Sequence, residues 1–158
     1  MIKVAILTVS DSCAQGKRED ISGRVVEEML PPDKFEICRK KTVPDDRDAI
    51  AVELIYFSDQ AGVDVVLTAG GTGLGPRDVT PEATASVCER MVPGFGELMR
   101  TEGFKNTPNA ILSRAVAGIR KNTLVINLPG STRAVRECLE LLLNVLPHAV
   151  EMMRGGGH

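Results

Sequence analysis

The chain has 158 residues, 43% hydrophobic and 25% charged, with 19 Lys and Arg against 21 Asp and Glu, a formal net charge of -2. That balance fits one globular domain with a sizeable core and excludes long disorder, collagen and coiled coil. No global basic excess suggests nucleic-acid binding, and with aromatics at 3% and no Trp there is little material for a base-stacking platform.

The first residues, MIKVAILTVSDS, are apolar only briefly before Asp11, unlike a secretory signal. No window approaches the length of a membrane-spanning helix, so a cytoplasmic protein with no membrane partner is expected. Cys13, Cys38, Cys88 and Cys138 form no CxxC pair, and free thiols are expected rather than a zinc site. A single domain over residues 1–154 is expected, followed by a flexible tail over 155–158.

In chain order, Ile2 to Val9 reads as a buried strand because it is apolar without alternation. Ser22 to Leu30 suits a helix, with Val25, Val26, Met29 and Leu30 on one side, stopped by Pro31-Pro32. Phe35 to Val43 is a second strand. Asp45 or Asp46 caps a helix reaching about Gln60, with Ile50, Leu54, Ile55 and then Phe57 or Ser58 as its stripe. Gly62 is its terminator. Val63 to Ala69 is the strongest buried-strand signal.

Thr80 stands where an N-cap belongs, with Pro81 at the first helical position, and the helix is predicted to continue to Met91. Pro93-Gly94 is read as a break, with a short helix at Glu97 to Gly103. Ile111 to Ile119 and Thr123 to Leu128 read as two strands. Ser131 caps a long final helix, with Val135, Leu139, Leu142, Leu143 and Leu146 inward. Alternating strands and helices predict an α/β fold, a three-layer α/β/α sandwich with a mostly parallel sheet. Ligands in such folds bind beyond the carboxyl ends of strands, which directs attention to the loops after Val9, Ala69 and Leu128.

The loop Gly70-Gly71-Thr72-Gly73-Leu74-Gly75-Pro76-Arg77-Asp78 precedes a helix N-terminus. Its backbone amides can form an anion nest, and Arg77 can add a charged donor for phosphate. An acid beside a phosphate site is repulsive unless it holds a cation, so Asp78 suggests magnesium-assisted chemistry on a nucleotide. The other reading is a tight turn with a surface Arg-Asp pair. The loop is neither a Walker A motif nor a dinucleotide fingerprint. Ser10 and Asp11 can bind a ligand or cap a turn. Asp45 is open to a helix cap or a metal ligand. Gly130 and Ser131 start the last helix and form another possible anion site. Asn127 needs a partner if buried. Ser113 and Arg114 reach a site or face solvent.

Six segments occur in order: Ile6 to Asp11, Val43-Pro44-Asp45, Leu67 to Gly73, Pro76 to Thr84, Leu112-Ser113-Arg114 and Asn127 to Ser131. Together they resemble the molybdopterin adenylyltransferase family, which includes the G domain of gephyrin and its plant counterpart. The resemblance covers nearly the whole chain, and its GGTG-to-TPEAT stretch is highly specific.

The resemblance implies an α/β/α homotrimer that transfers AMP from Mg-ATP to the terminal phosphate of molybdopterin, releases pyrophosphate, and passes the product to a molybdenum insertase. It implies that Asp45 and Asp78 are the catalytic acids and the Mg²⁺ ligands, directly or through water. Gly70, Gly71, Thr72 and Gly73 match the glycine-rich segment near the nucleotide. Ser10, Asp11, Ser113, Asn127 and Ser131 match or adjoin positions lining the site. Ser131 stands where many relatives carry Asn in a PGNP sequence. A non-catalytic pterin-binding paralogue and a trimeric scaffold are the rival readings.

Overall fold

The computed structural model describes residues 1–157. Strand β1 (Ile2–Val9) lies inside the sheet, with β2 (Phe35–Val43) parallel on one side and β3 (Val65–Ala69) parallel on the other. Strand β6 (Thr123–Leu128) continues the sheet parallel to β3. It then turns antiparallel through β5 (Ala117–Arg120) to a two-residue edge strand β4 (Arg90–Met91). The order is β2-β1-β3-β6-β5-β4. The expected α/β sandwich is therefore present, with three parallel and two antiparallel strand pairs.

Successive side chains of a strand face opposite sides, and β1 uses both. Val4 and Ile6 enter one core with Leu67 and Ile126, under α2 (Ile21–Met29), α5 (Pro93–Asn106), α6 (Thr132–Leu142) and α7 (Leu146–Met153). Ala5, Leu7 and Val9 enter the other with Ile50, Leu54 and Phe57, under α3 (Arg47–Ile55) and α4 (Thr80–Val87). Burial on both faces explains the unbroken apolar runs of the central strands.

The helix boundaries differ from expectation in instructive ways. Asp20 caps α2, its Oδ1 accepting from the Gly23 amide at 2.9 Å. Asp46, not Asp45, caps α3 by accepting from the Ala49 amide at 2.9 Å. The predicted stripe continues to Gln60 as a π-helical turn, Tyr56–Gln60, while Ile55 stays exposed. Thr80 is not a cap. Val79 holds that position without a side-chain bond, and Thr80 Oγ1 instead donates to the Gly70 carbonyl at 2.9 Å.

Helix α4 stops at Val87, four residues before Met91, which pairs as strand β4. Pro93 opens the 14-residue α5 rather than ending a helix, since proline's missing N–H costs nothing in a first turn. Residues Pro108–Leu112 form a 3-10 turn, so only the end of the expected Ile111 to Ile119 strand is extended. Ser131 does cap α6, but the long final helix is two helices, with Pro147 in the first turn of α7. In the tail, the Gly155 and Gly156 amides donate to the Met152 and Glu151 carbonyls, both at 3.0 Å; His158 lies outside the described residues.

Candidate active site

Strands β2 and β3 flank β1 on opposite sides, so consecutive crossovers diverge there and leave a crevice at their carboxyl ends. A cleft of roughly 590 Å³ occupies this position. Of the expected site residues, Ser10, Asp45, Gly70, Gly71, Asp78, Gly130 and Ser131 line it.

The loop after β1 begins with α1 (Asp11–Ala14), capped by Ser10, whose Oγ accepts from the Cys13 amide at 3.2 Å. Asp11 does not line the cleft but ties the loops together. Its amide donates to Asp45 Oδ2 at 2.9 Å, and the Asp45 amide donates to Asp11 Oδ1 at 3.0 Å. Arg77 then donates to both Asp11 oxygens, from Nε at 2.6 Å and Nη2 at 2.9 Å. The guanidinium expected to meet phosphate is thus fastened to a carboxylate on the rim.

The glycine-rich loop is held from several directions. Gly71 has φ +71°, and a Cβ there would lie 2.3 Å from Thr80 Oγ1 and 3.2 Å from Asp45 Oδ1. Glycine is required at this point by both conformation and space. Asp78 Oδ2 accepts from the Gly75 amide at 2.9 Å. Thr72 is buried, and its carbonyl accepts from the Arg114 amide at 2.8 Å.

The Arg114 side chain binds the Gly73 carbonyl at 2.8 Å, the Asp78 carbonyl at 2.7 Å and the Glu82 carboxylate at 2.5 Å. This residue, left open between site and solvent by the sequence, is the clamp of the loop that carries Asp78. Its partners lie 32 to 41 residues away, at distances no local pattern encodes.

Two expected ligand positions sit elsewhere. Asn127 is completely buried; its Nδ2 donates to Thr68 Oγ1 at 3.1 Å and Thr84 Oγ1 at 2.9 Å, and its Oδ1 accepts from the Val116 amide at 3.2 Å. It joins β3, α4 and β6 and has no face on the cleft. Ser113 lines a second cavity, between α5 and α6, with Pro129 in its wall. The sequence also passed over Asp20, which accepts from Thr8 Oγ1 at 2.7 Å in the cleft wall, and Arg18 on its rim.

Burial pushes the Asp45 carboxyl above its ordinary range, and the charges of Asp11 and Asp78 add to the shift; the Asp11 amide and Arg77 oppose it. Asp11 moves the other way because Arg77 hydrogen-bonds it. Burial also pushes the Cys88 and Cys138 thiols up to about 11, so neither is a thiolate at neutral pH.

Asp45 Oδ1 and Asp78 Oδ1 accept no hydrogen bond from the described residues. Among those residues there is no cluster of three or more metal-binding side chains. Two carboxylates at a cleft suit a hard divalent cation whose remaining ligands come from phosphate oxygens and water, the usual arrangement for magnesium. The donor set fits Mg²⁺.

The family model described as "Probable molybdopterin binding domain" matches residues 5–148. The molybdopterin adenylyltransferase of Helicobacter pylori strain J99 is 45% identical, over 98% of this chain and 89% of the relative. That of Escherichia coli K12 is 39% identical, over 88% of this chain and 72% of the relative. The crystal structure of the molybdopterin biosynthesis enzyme MoaB from Thermus thermophilus superposes with a TM-score of 0.93 at 48% identity, covering 98% of each chain. With the same fold, full-length similarity and a cleft at the switch point of its sheet, this chain belongs to the molybdopterin-binding family of molybdenum cofactor biosynthesis.

Proposed function

We propose that this protein is a molybdopterin adenylyltransferase that moves AMP from Mg-ATP to the terminal phosphate of molybdopterin. The observation that carries the reading is the pair Asp45 and Asp78, converging on one cleft from two different loops. In the reaction, an oxygen of the pterin phosphate forms a bond to the α-phosphorus of ATP. The bond from that phosphorus to the bridging oxygen breaks, and its electron pair leaves with pyrophosphate. A phosphate oxygen needs no strong base, so the main demands are alignment and charge neutralisation.

The chain's own residues meet those demands as follows. Asp45 and Asp78 would hold Mg²⁺, directly or through water, and the ion would supply neutralisation of phosphate charge. Asp11 fixes Asp45 through the paired amide contacts, and Arg77 fixes Asp11. Arg114 fixes the carbonyl of Asp78 and hence the position of its carboxylate. Gly70, Gly71 and the start of α6 at Gly130 and Ser131 present backbone to substrate along the cleft walls. Thr72 and Gly73 act from behind, as anchors for Arg114.

The same reading includes a cytoplasmic homotrimer that hands its product to a molybdenum insertase. The half-exposed Phe104, Ile111 and Leu112, on α5 and the 3-10 turn packed against it, offer apolar surface for subunit contact. Light scattering of the purified protein measures the assembly.

The deciding experiment mixes purified protein, Mg-ATP and molybdopterin and follows adenylylated pterin and pyrophosphate. Asp78→Asn keeps an acceptor for the Gly75 amide and so folds normally, but its turnover falls by about 10²-fold or more. A wild-type protein that binds molybdopterin tightly and forms no product overturns the enzyme reading in favour of a binding module.

A further inference from the structure

The cleft receives two phosphate-bearing substrates, yet its lining is acidic. Glu19, Asp20, Asp45 and Asp78 line it against a single cation, Arg18. The surrounding guanidinium groups are already engaged. Arg77 is bidentate on Asp11, Arg114 is bound to Glu82 and the loop carbonyls, and Arg24 pairs with Glu19. Arg18 alone among these makes no hydrogen bond or ion pair with any described residue.

Its backbone is nevertheless well placed. On one side the Lys17 amide donates to the Ser12 carbonyl at 2.9 Å. On the other, Asp20 is fixed by Thr8 Oγ1 at 2.7 Å and the Gly23 amide at 2.9 Å. The exposed side chain of Arg18 therefore starts from a rim anchored at both ends. A guanidinium offers planar, bidentate donors matched to phosphate, and one without a protein partner loses no ion pair when it takes a ligand.

We infer that Arg18 is the phosphate-binding cation of the cleft: its guanidinium receives a phosphate group of an incoming substrate, either that of ATP or the terminal phosphate of molybdopterin. The identity of these two ligands rests on the adenylyl-transfer reading. In this role Arg18 replaces Arg77, whose charge is spent within the protein.

The test is calorimetric titration of Mg-ATP and, separately, of molybdopterin into the wild type, Arg18→Ala and Arg18→Lys, with turnover measured in parallel. Arg39→Ala, which removes one positive charge from the edge strand β2, is the control for net charge. Arg18→Ala is expected to bind one of the two ligands about tenfold more weakly, the loss of a charge-assisted contact. Arg18→Lys is expected to recover part of that loss, because a point charge remains without the planar fork. The ligand affected identifies which phosphate Arg18 meets. Thermal unfolding of Arg18→Ala matches the wild type, since no hydrogen bond or ion pair among the described residues is removed.

Equal binding of both ligands by Arg18→Ala and the wild type overturns the assignment, as does an equal loss in Arg39→Ala. So does a wild type that binds neither ligand. A wild type that binds both but forms no product sinks adenylyl transfer alone and leaves the Arg18 comparison to be read from binding.

Discussion

Asp11 and Asp45 hold each other by reciprocal hydrogen bonds, each amide donating to the other's carboxylate, at 2.9 and 3.0 Å. The two residues follow Val9 and Val43, which are register partners on parallel strands β1 and β2. The clasp therefore joins two loops where the sheet ends, and Arg77 extends it to the glycine-rich loop. One consequence is electrostatic. Asp45 feels two other carboxylates, Asp11 and Asp78, and one cation, Arg77, which is bonded directly only to Asp11.

Asp45 bears the cost of that arrangement. Its folded pKa is raised, first by burial, so its ionised form is disfavoured relative to the unfolded chain. The contribution to stability is full below the ordinary carboxylate range and is lost as pH rises through the raised pKa. Asp45→Asn removes the charge and keeps an oxygen to accept the Asp11 amide. Because the group is only part-buried, screening limits the gain, and the ligand-free Tm at pH 7 is expected to rise by roughly 1–2 °C. The gap closes in acid, while adenylyl transfer falls sharply. Scanning calorimetry across pH checks this; a Tm at or below wild type at neutral pH would show that the carboxylate carries no such cost.

Arg77 pulls in the opposite direction. Its hydrogen bonds lower Asp11, and its charge also lowers Asp45. The stabilisation of Asp11 is present above the ordinary carboxylate range and is lost as pH falls through its lowered pKa. Arg77→Gln removes both effects, so Asp11 and Asp45 hold protons to higher pH. The acid limb of the kcat/KM profile is then expected to move upward in pH, if ionised Asp45 is the working form. An unmoved acid limb would mean that Arg77 only decorates the rim.

Strand β1 was legible because a buried parallel strand advertises itself as an apolar run, and Ile2–Val9 matches expectation to the residue; the edge strand Phe35–Val43 also matches, although only its end residues Phe35 and Val43 are buried. Proline was harder to read. Pro93 both follows one element and opens the next, and only tertiary pairing of Met91 with Gly118 shows that α4 has already ended. In the site, the acids and glycines stood out because their types are unusual after a strand. Arg114 stayed open between site and solvent because its partners lie dozens of residues away, and Arg18 was passed over because it has none among the described residues. Asn127 was noticed for the right reason, a polar group in an apolar strand, but its partners prove to be Thr68, Thr84 and the Val116 amide.

That placement makes Asn127 a test of structure against binding. Every buried side-chain nitrogen and oxygen among the described residues has a partner, and Asn127→Ala would strand the Val116 amide and two threonine hydroxyls. The expected cost is about 2–4 kcal/mol in a denaturant titration. Measured well below its unfolding temperature, the variant keeps its KM for ATP and for molybdopterin. A large rise in either KM without loss of stability would return Asn127 to the ligand-contacting set.

Gly71 and Gly16 separate backbone conformation from crowding. Both have positive φ, +71° and +74°, which an L side chain adopts at a cost of about 1–2 kcal/mol. At Gly16 a Cβ would meet nothing within 4 Å, so Gly16→Ala should lose little beyond that conformational cost. At Gly71 the same methyl would lie 2.3 Å from Thr80 Oγ1 and 3.2 Å from Asp45 Oδ1. Thr80 Oγ1 cannot yield without releasing the Gly70 carbonyl, and Asp45 cannot yield without disturbing its clasp with Asp11. Gly71→Ala is therefore expected to cost about 3–5 kcal/mol and to lower kcat along with stability, because the displaced atoms belong to the metal-holding acid and to the loop beneath it. Gly16→Ala, on the loop between α1 and α2, should keep kcat. Equal stability losses in the two variants would show that the glycine loop relaxes around a methyl group, and that its geometry is not what holds Asp45 in place.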